Sequence, residues 1–310
     1  MMRIAVCGTN GLALLIAHFL QEQTNHQLVI LSRSRQPTLE SEGYQTLLVD
    51  YENDLSLLHA LSGINTVIST VTGPPQIALI HAAAQTRVRR FAAAEFEGSP
   101  SRRSNPDPLD NGKAAALAWL EQYRVQNGMQ YTSFVCGILY ERFAPGGLRA
   151  YGLGLNSAAC EEGDFLMNLR EMSVNAPYWS AQGTQTTVCL TAMQDVARCV
   201  VKAVEMPGTW DRRMQVFGER VTVGELVGIV QEVLGRQFHS IQWPDITMLR
   251  AEVSAAQAEG DIERQMRAHY HMAAAEGRYE FTRRNLLERF PDVAVLRFRE
   301  WLVNTWATIQ

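Results

Sequence analysis

The sequence predicts an α/β fold, a Rossmann-type doubly wound parallel sheet with a smaller C-terminal α+β lobe, on two observations. Short apolar runs alternate with helix-length amphipathic segments through the first half of the chain, the rhythm of β-α-β units. The first run, Arg3-Ile-Ala-Val-Cys7, meets the glycine-bearing turn Gly8-Thr9-Asn10-Gly11 and becomes at once the apolar helix that begins with Leu12. In such a turn Gly8 permits a tight bend and Gly11 a close approach of backbone to a pyrophosphate. The helix start supplies free N–H groups and a positive dipole end. Gly8, Thr9, Asn10, Gly11 and Leu12 are therefore candidate cofactor contacts. Leu14 stands where a third small residue would let helix and strand pack closely, so the motif is a degenerate one.

The second strand, residues 27–31, ends in Ser32-Arg33 with no carboxylate to take a ribose 2′-hydroxyl, and an arginine there suits a 2′-phosphate. NADP(H) is the cofactor this implies, with Ser32 and Arg33 as contacts. Residues 45–49 form the third strand, with Asp50 at its exit, and residues 54–61 a helix. Residues 65–71 form the fourth strand, broken by Gly73-Pro74-Pro75, so Thr70, Val71 and Thr72 lie at a carboxyl strand end, where ligands of such sheets bind. A helix over 77–86 leads to the fifth strand, which runs from Arg90 to Phe96. The proline-rich loop 98–112 resumes as a helix at Lys113, and residues 131–137 are the sixth strand. Tyr140 follows closely enough to face the cleft. Beyond residue 144 the rhythm fails among glycines. This places a dinucleotide-binding domain at 1–155, with later strands returning near 186–190 and 214–217, and a substrate lobe at 156–310. Tyr151, Phe165, Met167, Met172, Tyr178 and Trp179 would give that lobe either an apolar pocket or simply its core.

Composition narrows the function. At 310 residues, 46 % hydrophobic and 19 % charged, with a net charge of −4, the chain offers no basic footprint for nucleic acid or an anionic membrane. It carries no run long enough to span a bilayer and enters its first strand within two residues, so a cytoplasmic location is expected. Five cysteines without paired spacing read as buried thiols, and the histidines form no ligand set, so no metal is expected. Of the 28 basic residues only Lys113 and Lys202 are lysines. A lysine retained in so arginine-biased a chain draws attention as a group that can exchange a proton where arginine cannot.

On Gly8-Thr-Asn-Gly11, the Ser32-Arg33 exit, Arg90-Phe91 through Glu95-Phe96, and Lys113 after the proline-rich loop, the chain resembles the NmrA-like branch of the atypical short-chain dehydrogenases, close to the isoflavone reductase-like enzymes. Asp195-Val-Ala-Arg198 and the tail from Gly277-Arg-Tyr-Glu-Phe281 through Phe290-Pro291-Asp292 to Trp301-Leu302 extend the likeness to fungal members. The resemblance implies a Rossmann domain, NADPH and reduction of a small hydrophobic molecule, commonly in specialised metabolism, with Lys113 matching the family's active-site lysine. The Tyr-x-x-x-Lys pair of the main short-chain dehydrogenases is excluded, since Leu109 and Arg198 stand four residues before the two lysines. Ala93 and Ala94 replace the proline and serine that often precede the Glu-Phe of isoflavone reductase-like chains.

In such a reductase the cofactor supplies hydride, and the protein must place the substrate carbon and handle a proton. Lys113, which is also a candidate cofactor contact, and Tyr140 are the candidates for that work. Three functions stay open: an NADPH-dependent reductase of an imine, enone or carbonyl; an NADP-binding regulator without turnover; and a redox-neutral isomerase or cyclase. The chain is expected to act as a monomer or homodimer on a small hydrophobic substrate.

Overall fold

The computed structural model describes residues 1–155 and 157–306. Strands and helices alternate as expected: β1 (Arg3–Cys7), α1 (Gly11–Gln23), β2 (Gln27–Ser32), α2 (Pro37–Ser41), β3 (Thr46–Leu48), α3 (Asp54–Leu61), β4 (Thr66–Ser69), α4 (Pro74–Gln85), β5 (Arg90–Glu97), α5 (Lys113–Asn127) and β6 (Gln130–Val135). The chain continues through β7 (Ile138–Leu139), β8 (Leu166–Asn168), β9 (Ser173–Asn175), β10 (Thr187–Thr191), α6 (Met193–Glu205), β11 (Arg213–Gln215), β12 (Glu219–Thr222) and α7 (Val223–Leu234). It closes with β13 (Ser240–Gln242), α8 (Ile246–Glu259), α9 (Ile262–Ala275), α10 (Asn285–Arg289) and α11 (Phe298–Trp306).

Seven strands form one parallel sheet in the order β3-β2-β1-β4-β5-β6-β11. Helices cover both faces, so the inner strands are apolar without alternation: Ile4, Ala5, Val6 and Cys7 are all fully buried. One face packs β1 and β4 against α1 and α6, the other against α3, α4 and α5. Close packing of α1 on the sheet comes from Ala13 and Ala17, which are fully buried. Leu14, the departure from the glycine pattern, instead points sideways into a small cluster with Ile30 and Leu39. The missing small residue is therefore supplied one position earlier and three later.

The expected return of residues 186–190 to the large sheet is corrected. The edge beyond β6 is taken by β11, as expected for the later strand, which leaves β10 to pair with β7 in parallel and β12 antiparallel in a separate three-stranded sheet. A third sheet, β13-β9-β8, and α7, α9 and α11 enclose a second core around Phe143, Phe165, Phe298 and Trp301. All five cysteines are buried free thiols, as expected. No helix of the described residues is long and apolar enough to cross a membrane.

Candidate active site

The turn after β1 is built as its sequence suggests at Gly8 and differently at Gly11. Gly8 has φ +112°, and a Cβ there would collide with the Thr70 hydroxyl, which donates to the Cys7 carbonyl at 2.9 Å. Asn10 caps α1, its side-chain oxygen accepting from the Ala13 amide at 2.9 Å. The amides of Gly11 and Leu12, first-turn donors with no intrahelical acceptor, remain at the positive helix end. Gly11 itself faces the protein. A Cβ there would lie 2.9 Å from the Tyr151 carbonyl oxygen, in the 3-10 turn Gly147–Tyr151 that packs over the helix start. Its lack of a side chain thus admits the chain's own backbone. Tyr151 is engaged in that packing.

The other candidate cofactor residues lie along the same carboxyl edge of the sheet. Ser32 is buried at the end of β2, its hydroxyl accepting from the Ser34 amide at 3.3 Å and the Gln36 side chain at 3.1 Å. Arg33 is exposed beside it and acts electrostatically on Tyr51, whose buried hydroxyl has no described hydrogen-bond partner. Asp50 closes a local turn after β3, accepting from the Glu52 amide at 3.0 Å. At the end of β4 the Thr72 hydroxyl accepts from the Asn111 side chain at 2.9 Å, tying that strand end to the loop that precedes α5.

A cavity of about 260 Å³ opens where these strand ends meet the second lobe. Asn10, Leu12, Thr70, Thr72 and Lys113 line it, whereas Ser32, Arg33 and Asp50 stand farther along the edge on β2 and β3. Its walls also carry an apolar set, Phe96, Leu109, Ile138, Leu139, Leu148 and Leu153. A larger depression of about 560 Å³ lies at the opposite end of the sheet, around Asn65, Arg89 and Gln130. Ligands of doubly wound sheets bind beyond the carboxyl ends, which favours the smaller cavity.

Lys113 begins α5 as expected, and the structure supplies what the sequence did not, a charged framework that fixes it. Its ammonium lies 3.0 Å from Glu97 at the end of β5. Glu97 also takes Arg103 at 2.7 Å and Arg278 at 3.0 Å, while Arg103 pairs with the fully buried Glu95 and Arg278 with Asp107 at 3.1 Å. Burial alone would raise Glu97, but Lys113, Arg278 and Arg103 outweigh it and hold the carboxylate well below its usual range. Glu95, more dependent on one partner, is pushed up by burial against the pull of Arg103. Lys202, the other lysine, pairs with Asp292 at 2.7 Å on the surface.

Tyr140, expected to face the cleft, is turned away from it. Gly137, with φ +72°, turns the chain against Cys189, β7 lasts only two residues, and Tyr140 then enters a 3-10 turn, Tyr140–Phe143, beneath α11. Its ring packs on Phe298 and Trp301, and its hydroxyl donates to the Leu296 carbonyl at 3.0 Å. It is fully buried and absent from the cavity wall. The phenols that do line the cavity belong to Tyr270 and Tyr279, neither bonded to a described residue. Burial pushes Tyr279 up, so it remains a neutral donor. Phe165, Met167 and Met172 are core residues, and Trp179 is exposed.

Two signals pointed toward the missed residues. Glu95 and Glu97 recur at strand spacing in an otherwise apolar run, which places two acids on one buried stretch and demands cations. Arg278 and Tyr279 sit in the tail segment that carried the family resemblance. Among the described residues no group of side chains is arranged to hold a metal ion.

The glycine turn, the free amides at the start of α1, the strand-end threonines and a carboxylate-bound lysine around one cavity define the chain as a Rossmann-fold protein of the dinucleotide-binding type. It belongs to the NmrA-like family, whose sequence model matches residues 2–293. It is similar to Oxidoreductase BOA1 of Botryotinia fuckeliana, 22 % identical with 78 % of this chain and 79 % of that protein covered. Oxidoreductase swnR of Metarhizium robertsii is 28 % identical, with 71 % and 70 % covered. Among solved structures, triphenylmethane reductase of Citrobacter sp. complexed with NADP(H) shares the fold at a TM-score of 0.72 and 17 % identity, covering 98 % of this chain and 99 % of that one.

Proposed function

We propose that this NmrA-like chain is an NADP-dependent oxidoreductase that reduces an imine, enone or carbonyl of a small hydrophobic natural-product intermediate, with Lys113 beside the reacting centre. One observation carries the reading: the lysine held by Glu97 stands in a cavity that Asn10 and Leu12 of the turn after β1 also line. The relatives named as oxidoreductases and the structural neighbour solved with NADP(H) support it. The residues fit the cofactor. The turn after β1 offers unengaged amides at a helix N-terminus for a pyrophosphate, Arg33 an exposed cation with no carboxylate at the β2 exit for a 2′-phosphate, and Tyr51 a buried hydroxyl without a partner nearby.

When bound, NADPH supplies the hydride. The chain's own part is to exclude water with its leucine and phenylalanine walls, to orient the substrate and to deliver a proton. Lys113 can donate to the oxygen or nitrogen on which negative charge develops, and the Glu97 carboxylate, fixed by two arginines, keeps the lysine stem directed into the cavity. Tyr279, a neutral phenol in the same wall, is a second donor. Tyr140 has no part in this chemistry.

The test is transfer of label. A panel of aromatic enones, cyclic imines and aldehydes is incubated with enzyme and NADPH deuterated at either face of C4. Consumption of reduced nicotinamide in step with product, and one deuterium in the product from one of the two labelled cofactors, is expected. Conversion of substrate with no nicotinamide consumed would move the protein to the redox-neutral class.

A further inference from the structure

Among the charged side chains of the cavity, one is left uncompensated. Lys113 is neutralised by Glu97, but Arg142, carried into the wall by the 3-10 turn Tyr140–Phe143, pairs with no described carboxylate. Its guanidinium carbon lies over the Phe165 ring at 5.2 Å and the Tyr270 ring at 5.6 Å, and it donates to the Ala159 carbonyl. Two aromatic rings hold the guanidinium in place by cation–π attraction without consuming its N–H groups. A guanidinium has five such donors in a planar fork, and one protein acceptor leaves most of them for a ligand.

A half-buried cation without a counterion is costly, and the cost is relieved by an anion that enters with the ligand. The fork geometry matches a carboxylate, which it binds through two parallel N–H···O bonds. The Tyr270 and Tyr279 phenols in the same wall, unbonded to described residues, are further donors toward such a group. Beside the polar strand-end residues the wall carries Phe96, Leu139, Leu148 and Leu153, which suit an apolar body. Taking the cavity to be the reductase site proposed above, we infer that the substrate is an apolar carboxylic acid whose carboxylate is bound by Arg142 while its reducible group is presented to Lys113. A cationic or uncharged substrate would leave the Arg142 charge unanswered. Arg142 is in this account a specificity-determining residue, and Lys113 the proton donor.

The experiment is a calorimetric titration of the NADP⁺-saturated protein with cinnamate and with cinnamamide, which share shape and differ in charge. Wild-type protein, Arg142→Gln and Arg142→Lys are compared, with inorganic phosphate as a control anion. Cinnamate is expected to bind the wild type about tenfold or more tightly than cinnamamide, the scale of one charge-assisted bidentate contact. Arg142→Gln should abolish the preference and Arg142→Lys restore part of it, with NADP⁺ affinity changed less than about twofold in both. Should Arg142→Gln fail to fold, Arg142→Lys still decides, because loss of the fork must weaken cinnamate and leave cinnamamide unaffected. Equal binding of the two probes by the wild type, a preference that survives Arg142→Gln, or phosphate binding as tightly as cinnamate would each overturn the inference. Failure of the wild type to bind NADP⁺ would overturn the underlying reading instead, and the carboxylate preference can be measured separately in the cofactor-free protein.

Discussion

Glu141 shows how one side chain couples this site's surroundings to pH. It lies next to Arg142 in sequence, but its carboxylate turns inward to accept from the Met193 amide at 3.0 Å, at the start of α6. Burial dominates over that bond and raises the carboxyl from 4.5 to about 7. A proton bound more tightly in the folded state stabilises it fully below the unfolded value near 4.5, and that contribution is lost as pH rises through about 7. Its size is about 3 kcal/mol. Unfolding free energy from urea titration should therefore drop between about pH 5 and pH 8, and Glu141→Gln, which keeps an oxygen for Met193, should flatten the drop and be the more stable protein at the alkaline end. Parallel profiles for the two proteins would contradict this. Glu97 has the opposite sign: its stabilisation is present above the ordinary carboxylate range and is lost in acid. At this scale Lys113 was legible, because a helix start after a proline-rich loop is a local pattern. Glu97 was not read as its partner, because the cations that share it include Arg278, 181 positions away.

Among the elements, the turn between β1 and α1 is the one whose physical meaning changed most. From sequence, Gly8 served a tight bend and Gly11 the approach of a pyrophosphate. In the structure Gly8 makes room for Thr70, and Gly11 for the carbonyl of Tyr151. Gly11→Val must therefore displace the 3-10 turn Gly147–Tyr151 as well as disturb the helix start. It is expected to lower stability by roughly 1–3 kcal/mol, the range for overpacking a fitted contact, in addition to weakening NADPH binding. Thermal unfolding of the cofactor-free variant separates the two effects, and an unchanged melting temperature would return Gly11 to a purely ligand-facing role. The misplacement of Tyr140 has a related origin. Tyr140 was expected to face the cleft because it lies only three residues beyond the sixth strand's end at Gly137, but that left-handed glycine redirects the chain and the two residues of β7 suffice to bury the tyrosine under α11. Strand and helix periods were legible because each is set within a few residues. Which way a side chain faces after a sharp turn is set by the element it lands against.

Across the whole molecule, the large sheet follows from its sequence because consecutive β-α-β units place each strand beside a near predecessor. The second lobe does not follow, since β7, β10 and β12 pair across long separations and the decisive fact is that β11 had already filled the sheet edge. The cavity is a product of that folding back: the end of β5, the start of α5, the 3-10 turn after β7, and the Tyr270 and Tyr279 segment meet in one wall. No single stretch of sequence contains it. The central claim is that this junction places Lys113 to deliver a proton as hydride arrives. Single-turnover oxidation of bound NADPH, followed in wild type and Lys113→Met with the best carbonyl or imine substrate, tests it most directly, since product release cannot mask the step. Methionine keeps much of the stem, and Glu97 retains Arg103 and Arg278, so the fold should persist. The account predicts hydride transfer slower by roughly 10² to 10⁴ with NADPH affinity little changed, and an unchanged transfer rate in Lys113→Met would contradict it.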